Sequence, residues 1–252
     1  MKNKPYVTIL LMFLFCSCNM EYIGEESSKE EASSKVFSYE TVLNSSAWQS
    51  YTSTRERINA CQLPDSVLKN ASTADLVAYC ASMPMNAICY AYDSPMEGAR
   101  WVIQNFNGFK ELQRRKDAAA AILDFYEGVD FTKTEQTPYP ITLRDSRNRC
   151  FGFTNISFME LAMASDAIPA LYEKANVARL ESVAIKKYEE KISNSVVFGT
   201  VALSSSLLIE ARIKLNSKSL DYSDEKKIHE FYESGGKNCN IQEISQVIFV
   251  NH

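Results

Sequence analysis

The sequence predicts an all-α fold, a helical bundle or a short helical superhelix. Three observations carry that expectation. Helix-capping signatures recur: Ser72 with Asp75 three residues on, Ser94 followed by Pro95 and Glu97, and Ser223 ahead of "DEKKIHEFYE". Apolar residues repeat at helical rather than alternating spacing. The periodic segments stop at breakers, notably Pro64, Pro84, Asn107-Gly108, Gly128 and Gly235-Gly236. No internal repeat decides between a bundle and a stack.

The chain opens with "MKNKPYVTILLMFLFCSCNMEYIGEESSKEEASS". Lys2 and Lys4 form a positive n-region, and Tyr6 to Phe15 an apolar run. That run is roughly half the ~20 residues a helix needs to cross a bilayer, so residues 1–17 read as a signal peptide. Its end, Leu14-Phe15-Cys16-Ser17-Cys18, resembles the lipobox of bacterial lipoproteins. The resemblance implies cleavage before Cys18 and lipidation there, because small Ser17 precedes it and small Cys16 lies one further back. Cys16 fits less well, since bulky Phe15 would stand beside the cut. Phe15 also departs from the aliphatic residue usual at the third position before the cysteine. The plainer alternative is a secretory signal with incidental cysteines. Acyl chains at Cys18, palmitate among them, would hold the chain on the membrane at ~0.8 kcal/mol per buried CH₂.

Residues 18–37 are rich in Ser and Glu and poor in bulky side chains, a composition that cannot offset chain entropy by burial. They read as a flexible tether holding a domain off the membrane. Glu21, Glu25 and Glu26 resemble the surface-export signals of lipoproteins from the Bacteroides group. The expected place is therefore the outer membrane, surface-exposed or facing the periplasm.

Two helical regions follow, 38–128 and 156–252, joined by an irregular linker, 129–155, and expected to form one compact domain. From Tyr39 to Ala60 the positions Val42, Leu43, Ala47, Trp48, Tyr51 and Ile58 approximate helical spacing, weakened at Thr52-Ser53-Thr54. Pro64 suits the first turn of a short helix through Leu68. Ser72 caps the next element, which Pro84 stops or restarts. Ser94 opens another, with Glu97 placed to reach back to the cap. "FKELQRRKDAAAAILDFYEG" is expected to run as one helix to Gly128, burying Phe109, Leu112, Ala119, Ile122, Leu123 and Tyr126.

Between Val129 and Asn155 the helical period lapses, which suggests a linker, a lid or a short strand pair. Ile156 to Asn194 reads as nearly continuous helix, kinked or broken at Pro169. "SVVFGTVALSSSLLIEARIKL" is apolar all round and reads as a buried central helix. Ser223 is expected to cap the next helix, and the tail "ISQVIFVNH" suits a last helix or a strand.

The stretches "LPDSVLKNASTADLVAYCASMP" and "FNGFKELQRRKDAAAAILDFY" resemble segments of uncharacterised lipoproteins of the Bacteroides group, over roughly Trp48 to Glu127. The resemblance implies a shared helical fold and envelope location. It brings no catalytic residue.

Composition narrows the function. Without Lys2 and Lys4 the mature chain has 25 basic against 31 acidic residues, a net charge of −6, so nothing suggests nucleic acid. Cys61, Cys80, Cys89, Cys150 and Cys239 are odd in number and lack a C-x-x-C spacing. They read as small buried residues, although Cys80 and Cys89 flank a turn and are candidates for a disulfide in an oxidising envelope. Of two histidines, His229 sits in "HEFYE", where Glu233 replaces the second histidine of a metalloprotease helix, so no metal site is expected. No G-x-S-x-G elbow or phosphate loop occurs, so no cofactor is expected. Ser66/Lys69 and Ser223/Lys226 match Ser-x-x-Lys only at helix starts.

The sequence therefore points to binding or scaffolding rather than catalysis. Tyr79, Tyr90, Tyr92, Trp101, Phe106 and Phe109 concentrate aromatics around the turns between Cys80 and Lys110, as a recognition surface for a peptide or glycan would. An aromatic core between helices explains the same residues. Arg114-Arg115-Lys116 would meet anionic headgroups or simply form a solvated face. The rival reading is a hydrolase of envelope polymers, its site in 129–155 with Asp130, Glu135 and Asp145.

Overall fold

The computed structural model describes residues 37–249, except 136–141, 148, 196 and 238. The fold is all-α, with one small sheet. Serine caps cut the first predicted stretch into three short helices, α1 (Tyr39–Leu43), α2 (Ser46–Ser50) and α3 (Thr54–Ala60), opened by Ser38, Ser45 and Ser53. Ser53 and Glu56 form a full capping box. Pro64 leads into α4 (Asp65–Asn70), and the Ser72 hydroxyl accepts from Asp75 N at 3.1 Å to open α5 (Thr73–Ser82). A 3-10 segment, Pro84–Ala91, then feeds α6 (Pro95–Asn105).

Ser94 stands at the start of α6 but does not cap it. Its hydroxyl donates instead to the Glu233 carbonyl at 2.9 Å, tying the two halves of the chain.

The helix predicted from Phe109 to Gly128 is two, α7 (Asn107–Leu112) and α8 (Ala118–Gly128). Tertiary partners break it. Arg115 turns away to donate to the carbonyls of Leu68 and Ala71, at 2.7 and 3.1 Å, closing the C-terminal end of α4. Asp117 accepts from the Thr73 hydroxyl at 2.8 Å.

The irregular segment forms three short antiparallel strands, β1 (Thr134–Glu135), β2 (Thr142–Arg144) and β3 (Cys150–Gly152), with Leu143 opposite Phe151. The stretch after it is fully broken at Pro169 rather than kinked, giving α9 (Phe153–Ala164), a 3-10 turn at Pro169–Tyr172 and α10 (Lys174–Ser193). Distant donors satisfy the last carbonyls of α9. Tyr172 reaches Met163 O at 2.9 Å, Tyr232 reaches Ala164 O at 2.7 Å, and Arg212 donates to Ala164 O at 3.0 Å and to Ser165 O.

α11 (Thr200–Ser217) is the buried central helix, packed by α9, α10, α12 (Tyr222–Glu233) and α13 (Ile241–Phe249). Asp221, not Ser223, caps α12, its carboxylate accepting from Asp224 N at 2.9 Å. A single hydrophobic cluster runs from Tyr39 to Ile248 through both helical regions. The thiols of Cys61, Cys80, Cys89, Cys150 and Cys239 are free, with Cys80 and Cys89 unbonded and buried. Burial pushes the Cys61 and Cys89 thiols up to about 12, which keeps them unreactive near neutral pH.

Candidate functional site

A lone acid in an apolar helix must find partners or stay neutral. Glu160 is the only charged residue of α9, and it is completely buried. Its Oε1 accepts from Lys191 Nζ at 2.6 Å, from the Tyr126 hydroxyl at 2.6 Å and from Ser206 Oγ at 2.9 Å. Its Oε2 accepts from Lys191 Nζ at 2.7 Å and from Ser205 Oγ. Lys191, also fully buried, donates further to Ser206 Oγ at 2.7 Å and Ala202 O at 2.9 Å. Four helices, α8, α9, α10 and α11, thus meet at one ion pair whose hydrogen-bonding capacity is filled. Burial lowers the Lys191 pKa, against the pull of Glu160, and burial with Glu160 raises that of Tyr126.

One turn earlier on α10, Lys187 donates to the Val129 carbonyl and pairs with Glu190 at 3.0 Å. Lys191 Nζ lies 4.6 Å from the centroid of the Phe131 ring, which touches Tyr126 and Phe198 edge-on. The start of the irregular segment is therefore pinned to α10.

A recess of about 50 Å³ adjoins this centre. Ser205 forms part of its floor, so one hydroxyl separates it from Glu160. Tyr90, Ser204 and Lys237 supply the rest of its polar lining, and Pro95, Leu161 and Val201 its apolar side. Gly235 and Gly236 close it, at φ +65° and +78°. A Cβ on Gly236 would stand 2.6 Å from the Ser204 Cβ, and one on Gly235 2.7 Å from Met96 N. Gly236→Ala is therefore expected to destabilise the protein by about 1–3 kcal/mol, read as a lowered urea midpoint. An unchanged midpoint would mean that the turn shifts freely.

The enclosed Tyr90 hydroxyl has Ser157 as its side-chain neighbour. Lys237 Nζ donates to the Tyr92 carbonyl at 2.6 Å. The glutamate-lysine centre can position helices but meets no solvent.

The predicted aromatic residues fall into separate groups. Tyr79 contacts Phe37 and Tyr39 at ring distances of 5.9 and 6.4 Å. Tyr92 and Trp101 make a tilted pair at 6.3 Å. Phe106 and Phe109 are buried against each other, and Phe109 against Phe158, so neither presents a face to solvent. Among the described residues no ring contact joins these groups, and Tyr90 is the one that lines the recess.

The acids of the irregular segment have local partners. Asp130 accepts from the Thr132 hydroxyl at 2.6 Å and pairs with Lys133 at 3.1 Å. The Thr132 hydroxyl first, and then Lys133, hold its carboxyl down to about 2. Asp145 is buried and accepts from Arg149 Nε at 2.8 Å and from the Arg147 and Arg149 amides. The Glu135 side chain lies outside the described residues, as do residues 18–36 of the expected tether, Cys18 among them, and His252, whereas Phe37, placed at the tether's end, packs on Tyr39 and Tyr79.

His229 is exposed on α12, in a shallow groove with Tyr222 and Glu225. Ser66, Lys69, Ser223, Lys226, Arg114 and Lys116 are exposed too. Among the described residues no group of three or more potential ligands is placed to hold a metal, and no helix is long and apolar enough to cross a membrane.

The Glu160 centre escaped sequence reasoning. Its signal was a single Glu in "FTNISFMELAMA" and two adjacent serines deep in "VALSSSLLIE", since polar residues in helices that are otherwise wholly apolar require one another. No protein-family model, curated protein or solved structure matches the chain.

Proposed function

We propose that this protein is a lipid-anchored component of the bacterial cell envelope, held in the outer membrane through Cys18, whose helical domain binds a partner or ligand rather than catalysing a reaction. The observation that carries the anchor is the short apolar run ending in Phe15-Cys16-Ser17-Cys18, followed by a Ser- and Glu-rich stretch up to the folded domain. The binding reading is supported by where the polar groups lie. Among the described residues, a dense cluster of ionisable and nucleophilic side chains, Glu160 with Lys191, Ser205, Ser206 and Tyr126, is buried and mutually paired. Such a cluster fixes the positions of helices and has no access to a polymeric substrate. Asp130 and Asp145 are held by neighbouring donors, which leaves neither poised as a general acid or base.

The anchor is tested by fractionation. Cys18→Ala should move the protein out of the detergent-extracted outer-membrane fraction, while the wild type stays with it. Equal membrane association of both forms would reject the anchor.

A further inference from the structure

Scattered apolar side chains on a surface carry no message, but apolar side chains gathered at one charge-free place do. Among the described residues three large hydrophobic side chains are exposed, Ile192, Val201 and Tyr222. Two of them share one tip of the fold. Ile192 lies in the last turn of α10 and Val201 in the first turn of α11. They flank the hydrogen bond of 2.9 Å from Lys191 Nζ to the Ala202 carbonyl, which ties those two helix ends together. Ile192 is 45 % exposed and Val201 55 %. Val201 also continues into the apolar wall that Pro95 and Leu161 give the recess. No charged residue occurs from Ile192 to Ile209. The exposed neighbours in the turn, Ser193, Ser195, Gly199 and Thr200, are small and neutral, and charged surface resumes at Glu189, one turn back on α10.

The folded domain begins at the same end. Phe37 packs edge-on against Tyr79 of α5 at 5.9 Å. Two residues on, the Ala81 carbonyl accepts from Asn155 Nδ2 at 2.7 Å, at the start of α9. Phe153, the first residue of α9, meets the ring of Phe198 in the α10–α11 turn at 5.6 Å. A short path of contacts therefore joins the first described residue to the tip. Tyr222, by contrast, lies beyond the far end of α11, about 27 Å along that helix.

We propose that the tip formed by Ile192 and Val201 docks into the surface of a lipid bilayer, the two side chains entering the boundary between headgroups and acyl chains while Glu189 stays in water. A neutral tip needs no anionic lipid, since nothing on it pairs with headgroup charge. Two half-exposed aliphatic side chains are too little to hold a protein on a membrane unaided, so the tip orients a domain that an anchor retains. This docking rests on the anchor at Cys18, which brings the tip within reach of a membrane. As a coil, residues 18–36 would span about 25 Å.

The test holds the mature chain, residues 18–252, on phosphatidylcholine vesicles through an N-terminal hexahistidine tag and a nickel-chelating lipid, so the tip is read whether or not Cys18 is acylated. Amide hydrogen exchange of peptides spanning 192–203 should slow by about fivefold or more on the vesicles, with no change around Tyr222. Ile192→Ser with Val201→Ser should abolish that slowing while leaving the urea midpoint unchanged, because both side chains are exposed. Equal exchange at the tip with and without vesicles would overturn the docking, as would slowing that survives the double substitution or that is as large around Tyr222. Slowing that appears without vesicles as protein concentration rises would assign the tip to a second copy of the chain and overturn the lipid partner. Since acylation is read separately by fractionation, failure of the tip and failure of the anchor are told apart.

Discussion

Lys191→Met should destabilise the protein by about 3–5 kcal/mol, one of the two largest effects expected of a single substitution. Lys191 and Glu160 are both fully excluded from solvent and bonded at 2.6 and 2.7 Å. Removing the ammonium leaves an uncompensated carboxylate among α8, α9, α10 and α11, with only the Tyr126, Ser205 and Ser206 hydroxyls to stabilise it. It also frees the Ala202 carbonyl that Lys191 had bonded at 2.9 Å. Met keeps most of the volume of the lysine stem, so the loss reports charge rather than a cavity.

The double variant Glu160→Gln with Lys191→Met should recover much of that loss, because the neutral amide oxygen can still accept from Tyr126 and Ser206 while its NH₂ donates to Ser205 Oγ. Urea midpoints of the single and double variants decide it. A single variant within 1 kcal/mol of wild type would show that water reaches this pair.

The second large effect is a gain. Glu210 lies on α11 one turn beyond Ser206, fully buried, and neither carboxylate oxygen has a hydrogen-bond partner. Burial, and then the nearby Glu181, push its pKa from 4.5 up to about 8, with Lys214 pulling the other way. Below pH 4.5 folded and unfolded chains both keep the proton. Between 4.5 and about 8 the folded chain keeps it and the unfolded chain releases it. Stability therefore falls as pH rises through that window, by at most ~1.4 kcal/mol per pH unit.

Glu210→Gln removes this slope, and at pH 8 it should stabilise the protein by about 2–4 kcal/mol while changing little at pH 4.5. Urea unfolding of both forms at the two pH values reads the difference directly. A Gln variant no more stable than wild type at pH 8 would mean that the Glu210 carboxylate is solvated or paired after all.

What the sequence could and could not convey follows from the range of the forces involved. Local signals were legible because they act within one turn. The Ser72 cap, the stop at Gly235-Gly236 and the apolar burial of α11 depend on neighbours within about four residues. The break between α7 and α8 was not, since it is made by Arg115 and Asp117 serving carbonyl and hydroxyl groups more than forty residues away. The α12 cap is Asp221 rather than Ser223, a choice between good caps two residues apart that propensity alone does not rank.

The Glu160 centre joins residues 126, 160, 191, 205 and 206, none of which carries a motif. Only the incongruity of polar residues in apolar helices pointed to it. Among the aromatics, Tyr90 lines the candidate recess, whereas Phe106 and Phe109 are buried in the apolar core.

The proposed anchoring of the helical domain through a lipidated Cys18 is open to direct measurement. Intact-mass spectrometry of detergent-extracted protein tests it most directly. The expected result is a chain that begins at Cys18 and is heavier than its amino acids by the mass of several acyl chains, with the increment lost in Cys18→Ala. A chain lacking any acyl increment, or one cleaved at another residue, would contradict it.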